Sequence, residues 1–203
     1  MGSSREYGSM LWLFTGDSIT HGAEHTGGAR SYPQIFEEWL RYDAGRSHDY
    51  VVNTGISGNF ANDVLAEYAE RIARFKPDAV AVMLGTNDAT RGLSGLDKYR
   101  TALVDIVRRA SRDGARAIVL TPPAVTAHAT TRAPYIGDYA QAAREIARDR
   151  KATLVDIFAD WMERGRGVAP RHWMNDAIHP NARGHREIAR VLIEHIESLH
   201  LFA

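Results

Sequence analysis

The stretch Ala79-Val80-Ala81-Val82-Met83-Leu84-Gly85-Thr86-Asn87-Asp88 is an unbroken apolar run that stops at a glycine and a polar turn. It has no period-2 alternation, so neither face of the extended chain is prepared for water. Such a run reads as a parallel strand covered on both faces. Residues 50–54 and 117–121 have the same character, and residues 10–15 and 153–157 complete a set of five. Between these runs, residues 32–42, 62–75, 96–112 and 135–150 carry apolar side chains at helical spacing. Residues 182–199 close the chain the same way, with Ile188, Leu192 and Ile196 on one stripe. Ser31 before Tyr32-Pro33 suits a helix N-cap, and Gly45 and Gly114 suit helix stops. Strand–helix alternation predicts an α/β fold, a three-layer α/β/α sandwich on a parallel sheet with right-handed crossovers.

Composition bounds what such a fold is for. The chain has 203 residues, 44% hydrophobic and 25% charged, which suffices for one well-buried domain and falls short of two. Residues 10–203 are expected to form that domain, with residues 1–9 a flexible N-terminus or a cloning remnant. The formal net charge is zero and no like-charge run stands out, so nucleic acid is not an expected partner. There is no cysteine, which excludes disulfides, thiolate catalysis and cysteine-bound zinc. No apolar run approaches the roughly 20 residues of a membrane span. Residues 10–14 are too short for a signal-peptide core. The cytoplasm is the expected compartment; secretion stays open if a signal segment has been removed. The sequence leaves the oligomeric state unknown.

Each of the first three strands is followed by a polar segment: Thr15-Gly16-Asp17-Ser18-Ile19-Thr20, Asn53-Thr54-Gly55-Ile56-Ser57-Gly58-Asn59, and Gly85-Thr86-Asn87-Asp88. Open α/β sheets bind ligands at the carboxyl ends of their strands, so these segments are expected to meet in one crevice. Near the C-terminus stands Asn175-Asp176-Ala177-Ile178-His179-Pro180-Asn181. A serine hydroxyl needs a base for its proton and a third group to hold that base in the right tautomer. Ser18, His179 and Asp176 supply those three parts, and an acid three residues before the histidine reaches its far ring nitrogen if the segment turns. Taken alone, Ser18 reads equally as a helix N-cap or part of a phosphate-cradling loop. Gly58 alone reads as a turn glycine, Asn87 as an Asx-turn residue, and His179 as a loop histidine.

The four segments together, in this order and with these flanks, resemble the SGNH subgroup of the GDSL esterase/lipase family. The resemblance runs from about Met10 to the last helix. It implies the flavodoxin-like SGNH hydrolase fold, with a five-stranded parallel sheet in strand order 2-1-3-4-5. It also implies a serine esterase working through an acyl-enzyme without a cofactor. Carried over by motif, Ser18 is the nucleophile, His179 the base and Asp176 the triad acid. The Ser18 and Gly58 backbone N–H groups and the Asn87 side-chain amide form the oxyanion hole. Fixed donors there favour the charged tetrahedral intermediate over the ground-state carbonyl. Asp17 and Asn53 are expected to brace their loops, and His25 to lie near the pocket.

His21 and His25 stand four apart, a spacing used for zinc. Gly22 between them weakens a helix and no H-E-x-x-H pattern is present, so no metal is expected. Trp161 reads as helix core. Trp173 reads either as a pocket wall that stacks on a substrate or as a packing residue. The expected substrate is a small-molecule ester, an acetyl or other short-acyl ester of a carbohydrate or similar polar alcohol. A thioesterase or lysophospholipase-type acyl hydrolase is the alternative. A non-enzymatic phosphate or flavin binder on the same fold is more remote, because it leaves residues 175–181 unexplained.

Overall fold

The computed structural model describes residues 8–199. Gly8 and Ser9 are exposed and have no regular structure; the rest of the expected N-terminal segment, residues 1–7, lies outside the described residues. Five strands form one parallel sheet in the order β2-β1-β3-β4-β5. They are β1 (Leu11–Gly16), β2 (Tyr50–Asn53), β3 (Ala79–Met83), β4 (Arg116–Leu120) and β5 (Thr153–Val155). β3 is buried at every position, as its uniform apolar sequence requires, and it pairs with both β1 and β4. β2 departs from the expectation of a strand covered on both faces: it lies at the sheet edge, and Tyr50 and Asn53 are exposed.

The longer helices are α2 (Tyr32–Tyr42), α5 (Leu96–Arg112), α6 (Ile136–Arg150) and α8 (Ala182–Ser198), with α7 (Ile157–Arg164) between β5 and the last loop. Their boundaries lie within a residue of the sequence pattern because the apolar stripes end where the helices do. α2 opens with Ser31 N–H donating to Gln34 Oε1 at 2.9 Å and carries Pro33 in its first turn, where no N–H is needed.

Residues 62–75 were expected as one helix and are three pieces: α3 (Ala61–Ala66), α4 (Tyr68–Arg71) and a 3₁₀ turn over Ala73–Phe75. Glu67 and Ile72 leave helical geometry at the two breaks. The interruption lets Arg71 turn inward, where it is 5% exposed and its guanidinium donates to the carbonyls of Gly16 (3.1 Å) and Thr54 (2.6 Å) and to Asn59 Oδ1. Two strand-end loops are thereby fastened to one buried cation.

Candidate active site

The first strand-end loop is dictated by close packing. A Cβ on Gly16 would lie 2.4 Å from the Met83 carbonyl of the neighbouring strand, so only glycine fits there. The chain then turns into α1 (Ser18–His21), a single turn capped by Asp17, whose Oδ1 accepts from Ile19 N–H at 2.9 Å. A phosphate in this loop would compete with Asp17 for the same donor, which disfavours the phosphate-cradle reading. Ser18 occupies the first helical position, where a backbone N–H has no partner within the helix.

The last loop is built around Asp176. An antiparallel bridge between Met174 and Pro180 closes it, with Asn175 N–H donating to the His179 carbonyl at 2.8 Å. Asn181 caps α8 through the N–H groups of Arg183 and Gly184 and donates back to the carbonyls of His172 and Met174. Inside the loop, Asp176 Oδ1 accepts from Ile178 N–H (2.8 Å) and His179 N–H (2.7 Å), and Oδ2 faces His179 Nδ1 at 2.7 Å. Burial alone would raise the Asp176 pKa. The hydrogen bonds from His179 and from the two backbone N–H groups outweigh it and hold the carboxyl below its usual range. An ionised Oδ2 fixes the ring proton on Nδ1, which leaves Nε2 as an acceptor.

Ser18 Oγ lies 3.1 Å from that Nε2. Ser18, His179 and Asp176, separated by up to 161 positions in the chain, thus form one continuous hydrogen-bonded line. The geometry allows a proton to leave Oγ for Nε2 while Asp176 stabilises the resulting imidazolium.

The remaining loops are tied to this line. Ile56 N–H donates to the Gly16 carbonyl at 3.1 Å, and Ser57 Oγ meets His21 Nδ1 at 3.1 Å. Asn53 Nδ2 donates to the Thr20 carbonyl, and its Oδ1 accepts from Gly55 N–H. Gly58 has φ +83° and open space where a Cβ would stand, so a substrate atom can approach its backbone closely. Asn87 is 8% exposed. One hydrogen of its amide goes to the Asn59 carbonyl at 3.0 Å, leaving the second for another acceptor. Arg132 holds the loop from behind, donating to the Thr86 carbonyl at 2.9 Å and approaching Asn87 Oδ1 at 3.5 Å. Thr126 N–H reaches the Ala177 carbonyl and joins the loop after β4 to the Asp176 loop.

Two buried carboxylates lie under the site. Desolvation raises the Asp17 pKa from 3.8 to about 7 and that of Asp88 from 3.8 to about 6, although backbone N–H bonds oppose the rise in both. Asp88 accepts from Ala61 N–H with both oxygens and so links the third loop to α3. For Asp17 the folded chain keeps a proton that the unfolded chain releases above pH 3.8. Its contribution to stability is fully present below that pH and is lost as pH rises to about 7. Asp17→Asn removes this titration and should gain in melting temperature relative to wild type between roughly pH 5 and pH 8. A constant difference across that range would mean that Asp17 is ionised throughout.

The sequence left three points to the structure. Trp173 is 4% exposed and packs edge-on against Trp161 at 5.2 Å, with the Arg164 guanidinium 5.4 Å from its ring centroid. It is a packing residue, so the pocket-wall alternative is corrected: its ring face is not available to stack on a substrate. His21 and His25 diverge, His21 toward Ser57 and His25 onto His179, and do not form a pair of ligands. His25, Asp176 and His179 do bring ligand atoms within 4.8 Å of one another. In the tautomer that Asp176 fixes, however, His179 Nδ1 bears a proton and the ring's lone pair sits on Nε2 facing Ser18, while the His25 lone pair on Nδ1 faces Asn175, so the two rings do not present converging ligands. Arg71, Arg132 and Asp88 carried no local signal; each acts through contacts to other loops.

A serine–histidine–aspartate line at the carboxyl edge of a five-stranded parallel sheet defines an α/β ester hydrolase. The chain belongs to the GDSL-like lipase/acylhydrolase family, whose model matches residues 14–187. It is 28% identical over 202 residues to the acetylxylan esterase of Geobacillus stearothermophilus, covering 91% of this chain and 92% of that protein. The crystal structure of that organism's acetylxylan esterase Axe2 superposes with a TM-score of 0.80 at 26% identity, covering 94% of this chain and 96% of the other. Esterase TesA of Pseudomonas aeruginosa is 29% identical over 141 residues, 68% of this chain and 65% of that protein. Among the described residues no helix is long and apolar enough to cross a membrane.

Proposed function

We propose that the chain hydrolyses acetyl or other short-acyl esters of a carbohydrate or similarly polar alcohol, with Ser18, His179 and Asp176 as its catalytic residues. The observation that carries the catalytic reading is the 3.1 Å approach of Ser18 Oγ to a His179 ring whose other nitrogen is engaged by Asp176. In this reading Ser18 Oγ bonds to the acyl carbon as its proton passes to Nε2. The oxyanion is met by the N–H groups of Ser18 and Gly58 and by the free hydrogen of the Asn87 amide. His179 returns the proton to the leaving alcohol, and water then repeats the sequence on the acyl-enzyme.

The near-full-length similarity to an acetylxylan esterase supports the choice of substrate class. A cavity of about 400 Å³ beside Asp176, walled by Val168, Ala169 and Met174 as well as His128, Arg171 and Asn175, is mostly apolar and does not choose between the two substrate classes. Turnover of acetylated xylooligosaccharides and of aryl esters of increasing chain length tests this. Rates should be highest for acetyl and fall as the chain grows; a preference for long acyl chains would select the lipase-type alternative.

Asn87→Ala should lower kcat by roughly 10²–10³-fold, because its amide meets charge that exists only on the way to the tetrahedral intermediate. KM should change far less. Steady-state kinetics on an acetyl ester check this; a variant that keeps its kcat and raises only KM would make Asn87 a binding residue.

A further inference from the structure

His25 is set on the loop between α1 and α2, and its ring lies face to face with that of His179, centroids 3.6 Å apart and planes 9° from parallel. The loop folds back on itself, with Ala29 N–H donating to the Thr26 carbonyl and Thr26 buried beneath. His25 is three-quarters buried. Its Nδ1 lies 3.3 Å from Asn175 Nδ2 and 3.8 Å from Asp176 Oδ2. An amide nitrogen only donates, so Nδ1 accepts and the proton of the neutral ring sits on Nε2. Ser18 and Asp176 hold the His179 ring by its edges. His25 holds it by its face.

We propose that His25 is a positioning residue for ester hydrolysis, stacking on His179 to keep that ring aligned and to stabilise the imidazolium that forms when Ser18 gives up its proton. This rests on the reading of Ser18 and His179 given above. The electron-rich face of a neutral aromatic ring attracts a cation, and the attraction strengthens away from water. His179 gains its charge only during the reaction, so the contact favours the transition state over bound substrate and acts on kcat. A histidine that merely filled space on this loop would not need an aromatic face.

The test compares His25→Ala, His25→Leu and His25→Phe on one acetyl ester, with melting temperature confirming the fold. Ala and Leu should lower kcat roughly 10-fold with KM little changed, and Phe should recover most of that loss. The rate at which a phosphonate modifies Ser18 should follow the same order. Wild-type kcat in the Ala variant, equal kcat in Leu and Phe, or a rise in KM alone would each overturn the proposal. Should the Ala variant not fold, the Leu and Phe variants, of similar bulk, decide it. Ser18→Ala run in parallel separates the two failures. An inactive Ser18→Ala beside a fully active His25→Ala removes only the role of His25; an active Ser18→Ala removes the catalytic reading beneath it.

Discussion

Ser18→Ala should fold as the wild-type chain does and lose ester turnover by roughly 10⁴–10⁶-fold. The substitution removes one oxygen whose hydrogen bond is to His179 Nε2, and that nitrogen belongs to a half-buried ring. No backbone cap is lost, because α1 is capped by Asp17 and not by the serine. Binding and the oxyanion donors remain, so a small residual rate over water is expected. Melting temperature and kcat on an aryl acetate check the two halves of the statement separately. A folded variant that keeps a tenth or more of its turnover would show that another group attacks the ester.

Asp176→Asn should cost roughly 10³–10⁴-fold in kcat with the fold intact. Asp176 Oδ1 accepts the N–H groups of Ile178 and His179, and an asparagine carbonyl oxygen can still accept both. What changes is the atom facing His179 Nδ1. Oδ2, which now lies 2.7 Å from that nitrogen, becomes an amide that donates. The ring must then carry its proton on Nε2 and point a hydrogen at Ser18, so it can no longer accept the serine proton. Turnover near the wild-type level would leave His179 without need of Asp176 and direct the search to another acid.

The sequence revealed most where one physical demand acts on consecutive residues. β3 and β4 are covered on both faces, and their uninterrupted apolar runs say so. The stripes of α5 and α8 mark a single buried face, and their ends follow. β2 misled because its valines suggest a central strand while its place at the sheet edge depends on which neighbours it meets. The helix expected over residues 62–75 broke because Arg71 serves carbonyls of two other loops, a demand invisible in its own neighbourhood. The site divides the same way. Ser18, His179 and Asp176 carry their chemistry in their local flanks. His25 gains its place only by meeting a ring 154 positions away, and which of the two readings of Trp173 holds turns on its contact with Trp161.

In the mechanism proposed above, His179 and Asp176 make Ser18 nucleophilic. Treatment of the native protein with an alkyl phosphonate, followed by peptide mass spectrometry, tests it most directly. A single adduct on Ser18 is expected, formed in step with loss of activity and formed far more slowly in Asp176→Asn. An adduct on any other residue, with Ser18 free and activity lost, would contradict it.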